Sequence, residues 1–282
     1  MTNRPPDLAD YDRPPVVEVV LGVQFSELRA FRTVHVGLIW DRCFRASFPD
    51  FAEHPPLEPS FETFGQRAQD RMQIKLVQLP GPPLPRLWFL NSDKTELVQI
   101  QPDRFIHNWR RFGGRGTYPR YEQLRKKFFD ELEDLRHFFA DESLGEIGPN
   151  QCEISYVNHI SLRGGDRDLR PEEIFSCWRG IDYTSLTEFE TLPRFEAGRF
   201  ALRFVVTDND GNPVGRLYAS AEPAQGPNQE PLINLTLTVK GAPIDASMTG
   251  VQQFLDTGRS AIVKAFTALT TPAMHELWGR TK

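Results

Sequence analysis

Apolar and polar residues alternate through Pro14–Phe25 (PPVVEVVLGVQF). Val17, Val19, Leu21, Val23 and Phe25 fall on one side of an extended chain, and Val16, Glu18, Val20, Gly22 and Gln24 on the other. Period two with one fully apolar side predicts a strand. Pro14 and Pro15 suit its beginning because proline donates no ladder hydrogen bond, and so many β-branched side chains call for a central place in a sheet. Gln151–Leu162 (QCEISYVNHISL) repeats the pattern in step, with Cys152, Ile154, Tyr156, Asn158 and Ile160 matching the apolar set and Glu153 matching Glu18.

The period changes to threes and fours at Tyr121, Leu124, Phe128, Leu132, Leu135 and Phe139, and again at Val251, Phe254, Gly258, Ile262, Phe266 and Leu269. Each set draws one apolar stripe on a long helix. The first helix should stop near Leu144-Gly145, where glycine takes a left-handed cap, and the second before Thr271-Pro272. Val34–Phe48 reads as a helix burying Leu38, Ile39, Phe44 and Phe48, ended by Pro49, and Pro171–Trp178 as a short one. In FAEHPPLEPSFETFG, Pro55, Pro56 and Pro59 argue against regular structure before Ser60. Met72–Leu79, Arg86–Asn91, Glu96–Gln101 and Arg104–Phe112 read as strands, with a hairpin turn at Asn91–Lys94. Arg199–Thr207 and Val214–Ala221 form a hairpin around DNDGN, followed by a strand at Leu232–Lys240.

Both halves thus run strand, helix, three or four strands, long helix. The expected fold class is α+β: two tandem β-α-β(3-4)-α units, residues 1–148 and 149–282, with antiparallel curved sheets packed on long amphipathic helices and joined edge to edge.

Composition narrows the class. Hydrophobic residues at 39% and charged residues at 25% suit a soluble protein, and no apolar run reaches the ~20 residues that cross a bilayer. The polar, proline-bearing start MTNRPPDLADYDRPP lacks the apolar core of a signal peptide, so a cytoplasmic, non-membrane protein is expected. Cys43, Cys152 and Cys177 are far apart and odd in number, which indicates neither a disulfide framework nor a zinc knuckle. No GxSxG elbow, Walker loop, HExxH or dinucleotide-type glycine turn occurs. Asp208, Asp210 and Gly211 suit a hairpin turn better than a calcium loop. The reading therefore leans away from an enzyme and expects no catalytic residue, metal or cofactor.

Charge and aromatics supply the candidate sites. Between Arg104 and Lys127, eight basic residues stand against the single acid Glu122, interleaved with Phe105, Trp109, Phe112, Tyr118 and Tyr121. Such a mixture can grip an acidic partner, or phosphates and bases; its bland alternative is a solvated edge balanced by Asp130, Glu131, Glu133 and Asp134. Trp109, Arg110, Arg111, Arg115 and Arg120 are the candidate partner-binding residues. Glu18, Asn158 and His159 are the candidate ligand pocket, Glu18 as a carboxylate among valines and His159 as a strand histidine able to act as a base.

PPVVEVVLGVQF, LVQIQPDRFIHNWRR with YPRYEQL, EISYVNHI, FLDTGRSAIVKAF and the final ELWG resemble, in this order, the segments of a sporadically distributed bacterial family of unknown function. The resemblance covers nearly the whole chain and implies no activity. That family often has histidine where this chain has Arg259, a departure that counts against a site there. Patchy distribution implies an accessory role such as phage defence or toxin neutralisation. The expected function is a non-enzymatic partner-binding protein, an adaptor, sensor or neutraliser whose partner is another protein encoded nearby. The alternatives are a nucleic-acid-binding module using 104–127 and a small-ligand pocket protein.

Overall fold

The computed structural model describes residues 8–65, 84–164, 167–178, 198–208 and 210–282; the strand expected at Met72–Leu79 lies outside them. The elements are β1 (Val16–Phe25), α1 (Thr33–Ile39), β2 (Asp50–His54), β3 (Arg86–Leu90), β4 (Glu96–Gln101), β5 (Arg104–Arg110), α2 (Tyr121–Asp141), β6 (Pro149–Ser161), the small pair β7 (Arg163–Gly164) and β8 (Arg167–Asp168), α3 (Pro171–Ile174), β9 (Phe200–Thr207), β10 (Pro213–Gln225), β11 (Pro231–Gly241), α4 (Met248–Leu269) and α5 (Pro272–Leu277). Nine strands form one open antiparallel sheet in the order β2-β3-β4-β5-β1-β6-β11-β10-β9. The protein is α+β.

β1 and β6 lie side by side at the sheet's centre, paired from Val16↔Asn158 to Phe25↔Pro149. Val19, Leu21, Val23 and Phe25 are buried on the face that carries the helices, as their alternation predicts. The pairing steps from Val16↔Asn158 to Glu18↔Val157, a bulge at Val17. An extra residue shifts every earlier side chain to the other face, so Val16 enters the core and Val17 leaves it, the reverse of strict alternation.

Both long helices pack their stripes on this face. Phe128 of α2 is fully buried, its ring 5.5 Å from that of Phe105 on β5. α4 crosses β6 and β11 at Gly258, where a Cβ would stand 2.6 Å from Ile154 Cγ2. A larger side chain there would push the helix off the sheet. Ser247 caps α4 by accepting from Gly250 N at 3.0 Å.

The helix read over Val34–Phe48 is shorter. After Ile39 the chain makes a π-helical turn, Trp40–Phe44, closed by Arg45 N donating to Trp40 O. Ile39 and Phe44 are five residues apart and both buried; a wider turn brings them onto one side, which 3.6 residues per turn does not. β2 fills the five residues just before Pro55 and Pro56, so the prolines bar regular structure only beyond it. α5, with Pro272 in its first turn and Thr271 as its cap, is a further helix beyond those the periodicity predicts. Among the described residues no helix is long and apolar enough to cross a membrane.

Two peripheral segments complete the body. Residues 55–64 run as a strap across the open face of the sheet, read by outward-facing side chains. Gln101 Nε2 donates to Leu57 O, Gln24 Oε1 accepts from Ser60 N and Gln151 Oε1 accepts from Glu62 N, at 2.9, 3.1 and 3.3 Å. Arg216 pairs with Glu62, and Tyr218 Oη donates to the same carboxylate at 2.6 Å. The N-terminal segment is laced to the C-terminus: Asp12 N donates to Gly279 O, Arg13 N to Trp278 O and Thr281 N to Asp10 O. Trp278 packs against both Tyr11 and Phe266, which gives the terminal Trp-Gly pair a structural job.

Two consequences are measurable. Phe128→Ala should lower the unfolding free energy by about 3–5 kcal/mol in urea titrations, as for a fully buried phenylalanine; a loss below about 1 kcal/mol would mean the face is not core. The second concerns His275, which is buried and bonded through Nε2 to Thr270 Oγ1 at 2.9 Å. The Thr270 hydroxyl donates to Phe266 O, so His275 must donate from Nε2 and remain neutral at Nδ1, which faces Arg280. Burial, then Arg280, depress its pKa. A histidine depressed on folding contributes fully above its unfolded pKa of about 6.5, and its contribution is lost as pH falls below that value. Stability should therefore fall between about pH 7 and pH 5 more steeply in the wild type than in His275→Gln, as followed by thermal unfolding.

Candidate functional site

The close crossing at Gly258 sets the site. The next residue, Arg259, is turned along α4 toward α2 and is buried, with only 6% of its surface exposed. Its guanidinium lies over the Tyr121 ring, 5.1 Å from the centroid. Nη2 stands 3.5 Å from Glu122 Oε1, and Nε is buried with no hydrogen-bond partner. A buried donor left unmet costs about 1–3 kcal/mol, more on a charged group.

Arg259 opens on a cavity of about 70 Å³ between α2, α4 and the sheet. Its floor comes from β1, β6 and β11 through Val16, Tyr156, Asn158 and Leu237, and its walls from Tyr118, Tyr121, Ile262 and Phe266. The bulge at Val17 places Val16 there, opposite Asn158. The Tyr118 and Tyr156 hydroxyls are 3.1 Å apart. Burial, and then their mutual proximity, raise the Tyr118 pKa well above its ordinary value; burial also raises that of Tyr156. Both hydroxyls stay protonated at neutral pH, and since only one proton can lie between them, the other is available to a third group. Asn158 Nδ2 is held by Leu235 O at 3.1 Å.

The rim is fixed by ion pairs that join separate parts of the chain. Asp256 of α4 accepts from Tyr121 Oη at 2.7 Å and from Arg125 Nη1 through both oxygens at 2.8 and 2.7 Å. Arg120 bonds Asp10 Oδ1 at 3.2 Å and Tyr11 O at 3.1 Å. Its backbone, φ 74° and ψ 155°, lies in a region used almost only by glycine. Such a conformation costs on the order of 1–3 kcal/mol and persists where surrounding contacts enforce it, typically beside a site.

The structure parts the residues singled out in the sequence. Trp109 is in the core, 2% exposed, its ring 5.4 Å from that of Tyr118, so it is not a surface anchor for a partner. Arg110, on the opposite pleat face, donates from Nε to Lys94 O at 2.9 Å and lies over the exposed Phe112. Arg111 and Arg115 are exposed in the loop beyond β5, with Arg115 3.7 Å from Asp93. Arg120 has gone to the cavity rim. Much of the basic stretch is matched internally: Arg104 with Gln24, Arg125 with Asp256, Lys126 with Asp130 and Lys127 with Glu96. Of the acids expected to balance it from later in the helix, only Asp130 is among these partners.

Glu18, Asn158 and His159 do not meet either. Glu18 lies on the open face at the end of a side-chain chain, Arg86 to Gln99 to Asn108 to Glu18, with links of 3.0, 2.7 and 2.7 Å. His159 is largely exposed on that face, and the partial burial of its ring, then Arg111, lower its pKa. Neighbouring strand residues point oppositely, so only Asn158 lines the cavity. Arg259, argued against by its difference from the resembling family, is the cavity's principal donor. The signal for it was present: it follows Leu255 by four and precedes Ile262 by three, inside the buried stripe.

Comparison with protein-family models, with curated proteins and with solved structures finds no match. Among the described residues no group of three histidine, cysteine or acidic side chains is arranged to hold a metal ion. The cavity offers a cationic edge, a hydroxyl proton and aromatic walls, so it can hold a molecule that bears hydrogen-bond acceptors. Removing the tie between its two helices should register in stability. Asp256→Ala, which strands Tyr121 Oη and Arg125, should cost about 1–2 kcal/mol in urea unfolding, whereas Asp130→Ala, which breaks only the exposed Lys126 pair, should stay within about 0.5 kcal/mol.

Proposed function

We propose that this protein is a binding protein of the sensor or adaptor kind, which takes a small acceptor-bearing ligand into the cavity beneath α2 and α4. The observation that carries this reading is Arg259, a buried cation whose Nε lacks a partner and which lines the cavity together with a tyrosine hydroxyl pair. A core that merely needed filling would use an apolar side chain there, because burying a charge is expensive unless it is matched. Functional pockets characteristically join apolar walls to a few convergent polar groups.

A protein partner is the second part of the reading. It rests on the loop after β5, where Arg110 lies over the exposed Phe112 and Arg111 and Arg115 are exposed beside it in the chain, a composition typical of interface anchors. The internal pairing of Arg125, Lys126 and Lys127 speaks for this over a nucleic-acid surface along the whole stretch. A two-copy ancestry for residues 1–148 and 149–282 belongs to the same proposal. Its support is the strand order, β5 beside β1 and β11 beside β6, with α2 and α4 on one face.

A thermal-shift panel of small organic acids, amides, alcohols and nucleobases tests the ligand reading. At a concentration ten times Kd a ligand adds about 1.4 kcal/mol, so at least one compound should raise the melting temperature by roughly 2 °C or more. Arg259→Leu should abolish that rise. A panel in which no compound shifts the wild type would refute the reading.

A further inference from the structure

We infer that the cavity's ligand is a short monocarboxylate; this rests on the ligand-binding reading above and narrows it to one chemical class. The Nε–Nη2 edge of an arginine presents two parallel donors spaced to meet both oxygens of a carboxylate. In Arg259 this edge is half used. Nε has no partner, and Nη2 meets Glu122 only at 3.5 Å, well beyond the roughly 2.7–2.9 Å of a charge-assisted bond; the guanidinium also reaches the Tyr156 hydroxyl. Glu122 sits in the first turn of α2, where a carboxylate is favoured by the helix dipole. It is a loosely held stand-in, one oxygen where a ligand would place two.

Charge decides between a carboxylate and a phosphate. Arg120 is tied to Asp10 and Arg125 to Asp256, so among the described residues around the cavity Arg259 is the cation with an unmet donor, its Nε. One such edge beside a resident glutamate suits a single negative charge; a dianion would need further cations. The second hydroxyl proton of the Tyr118 and Tyr156 pair supplies another donor, and Val16, Leu237 and Ile262 make an apolar wall for a short carbon chain. About 70 Å³ leaves room for several water-sized groups, which matches a ligand of acetate to butyrate size.

Isothermal titration calorimetry of the full chain with sodium acetate, propionate and butyrate tests the assignment, with sodium chloride holding ionic strength constant and propionamide as the neutral control. At least one of the carboxylates should bind one to one, with propionamide at least about tenfold weaker than propionate because it forgoes the charge-assisted pair. Arg259→Gln should weaken carboxylate binding at least about tenfold. Glu122→Gln should tighten it about three- to tenfold, since it removes a like charge competing for Nη2; a merely structural glutamate would give no gain. Propionamide binding as tightly as propionate, or Glu122→Gln weakening the carboxylates, would overturn the class and leave the ligand reading standing. If these carboxylates fail while other compounds of the wider panel shift the wild type, the class alone is wrong; if nothing binds, both fall together.

Discussion

The antiparallel pairing of β1 with β6 holds the molecule together. The two strands are separated by more than a hundred residues of chain, yet each is the other's neighbour at the middle of a nine-stranded sheet. β2 to β5 pair outward from β1, and β9 to β11 outward from β6. Neither half closes its sheet alone, because the inner edge of each is the other's strand. Slipping this pairing by one residue would turn Val19, Leu21 and Val23 out of the core, and the long helices would lose the surface they cover.

The cavity grows out of the same pairing. The bulge at Val17 brings Val16 inward opposite Asn158, and the absence of a side chain at Gly258 lets α4 approach β6 and β11. α2 and α4 are then joined over the gap by Asp256, with Tyr121 and Arg125 both donating to it. Below that junction Arg259 is held in low-dielectric surroundings with its Nε unmet. Backbone strain at Arg120, enforced by Asp10 and Tyr11 of the N-terminal segment, belongs to the same few ångströms of structure. Local rules broken together in one place are what a functional site leads one to expect.

Much of this fold can be read from side-chain period alone. β1, β6, β11, α2 and α4 follow from alternation or from stripes of threes and fours, since each buries one continuous face. Period alone does not carry an extra residue, as at the bulge at Val17 and the π-helical turn at Trp40–Phe44, nor a short strand directly followed by prolines, as at β2. For the site, residue type misled. Trp109 and its flanking arginines stood together in sequence, but strand pleating sends Trp109 to the core and Arg110 outward. Arg259 and Tyr156 lie about a hundred residues apart in the chain, and only the packing of α4 on β6 brings them to one cavity. Asn158 was legible because it stands among apolar residues on the buried side of β6.

The central claim is that the Arg259 Nε–H is a buried donor kept for a ligand, and this can be observed at that atom. In a ¹⁵N–¹H spectrum of arginine Nε groups, assigned by its loss in Arg259→Lys, the account expects one signal protected from solvent exchange at neutral pH that moves in a saturable way when butyrate is added. A signal that exchanges rapidly with water and stays in place throughout the titration would mean that solvent satisfies Arg259, and would contradict the account.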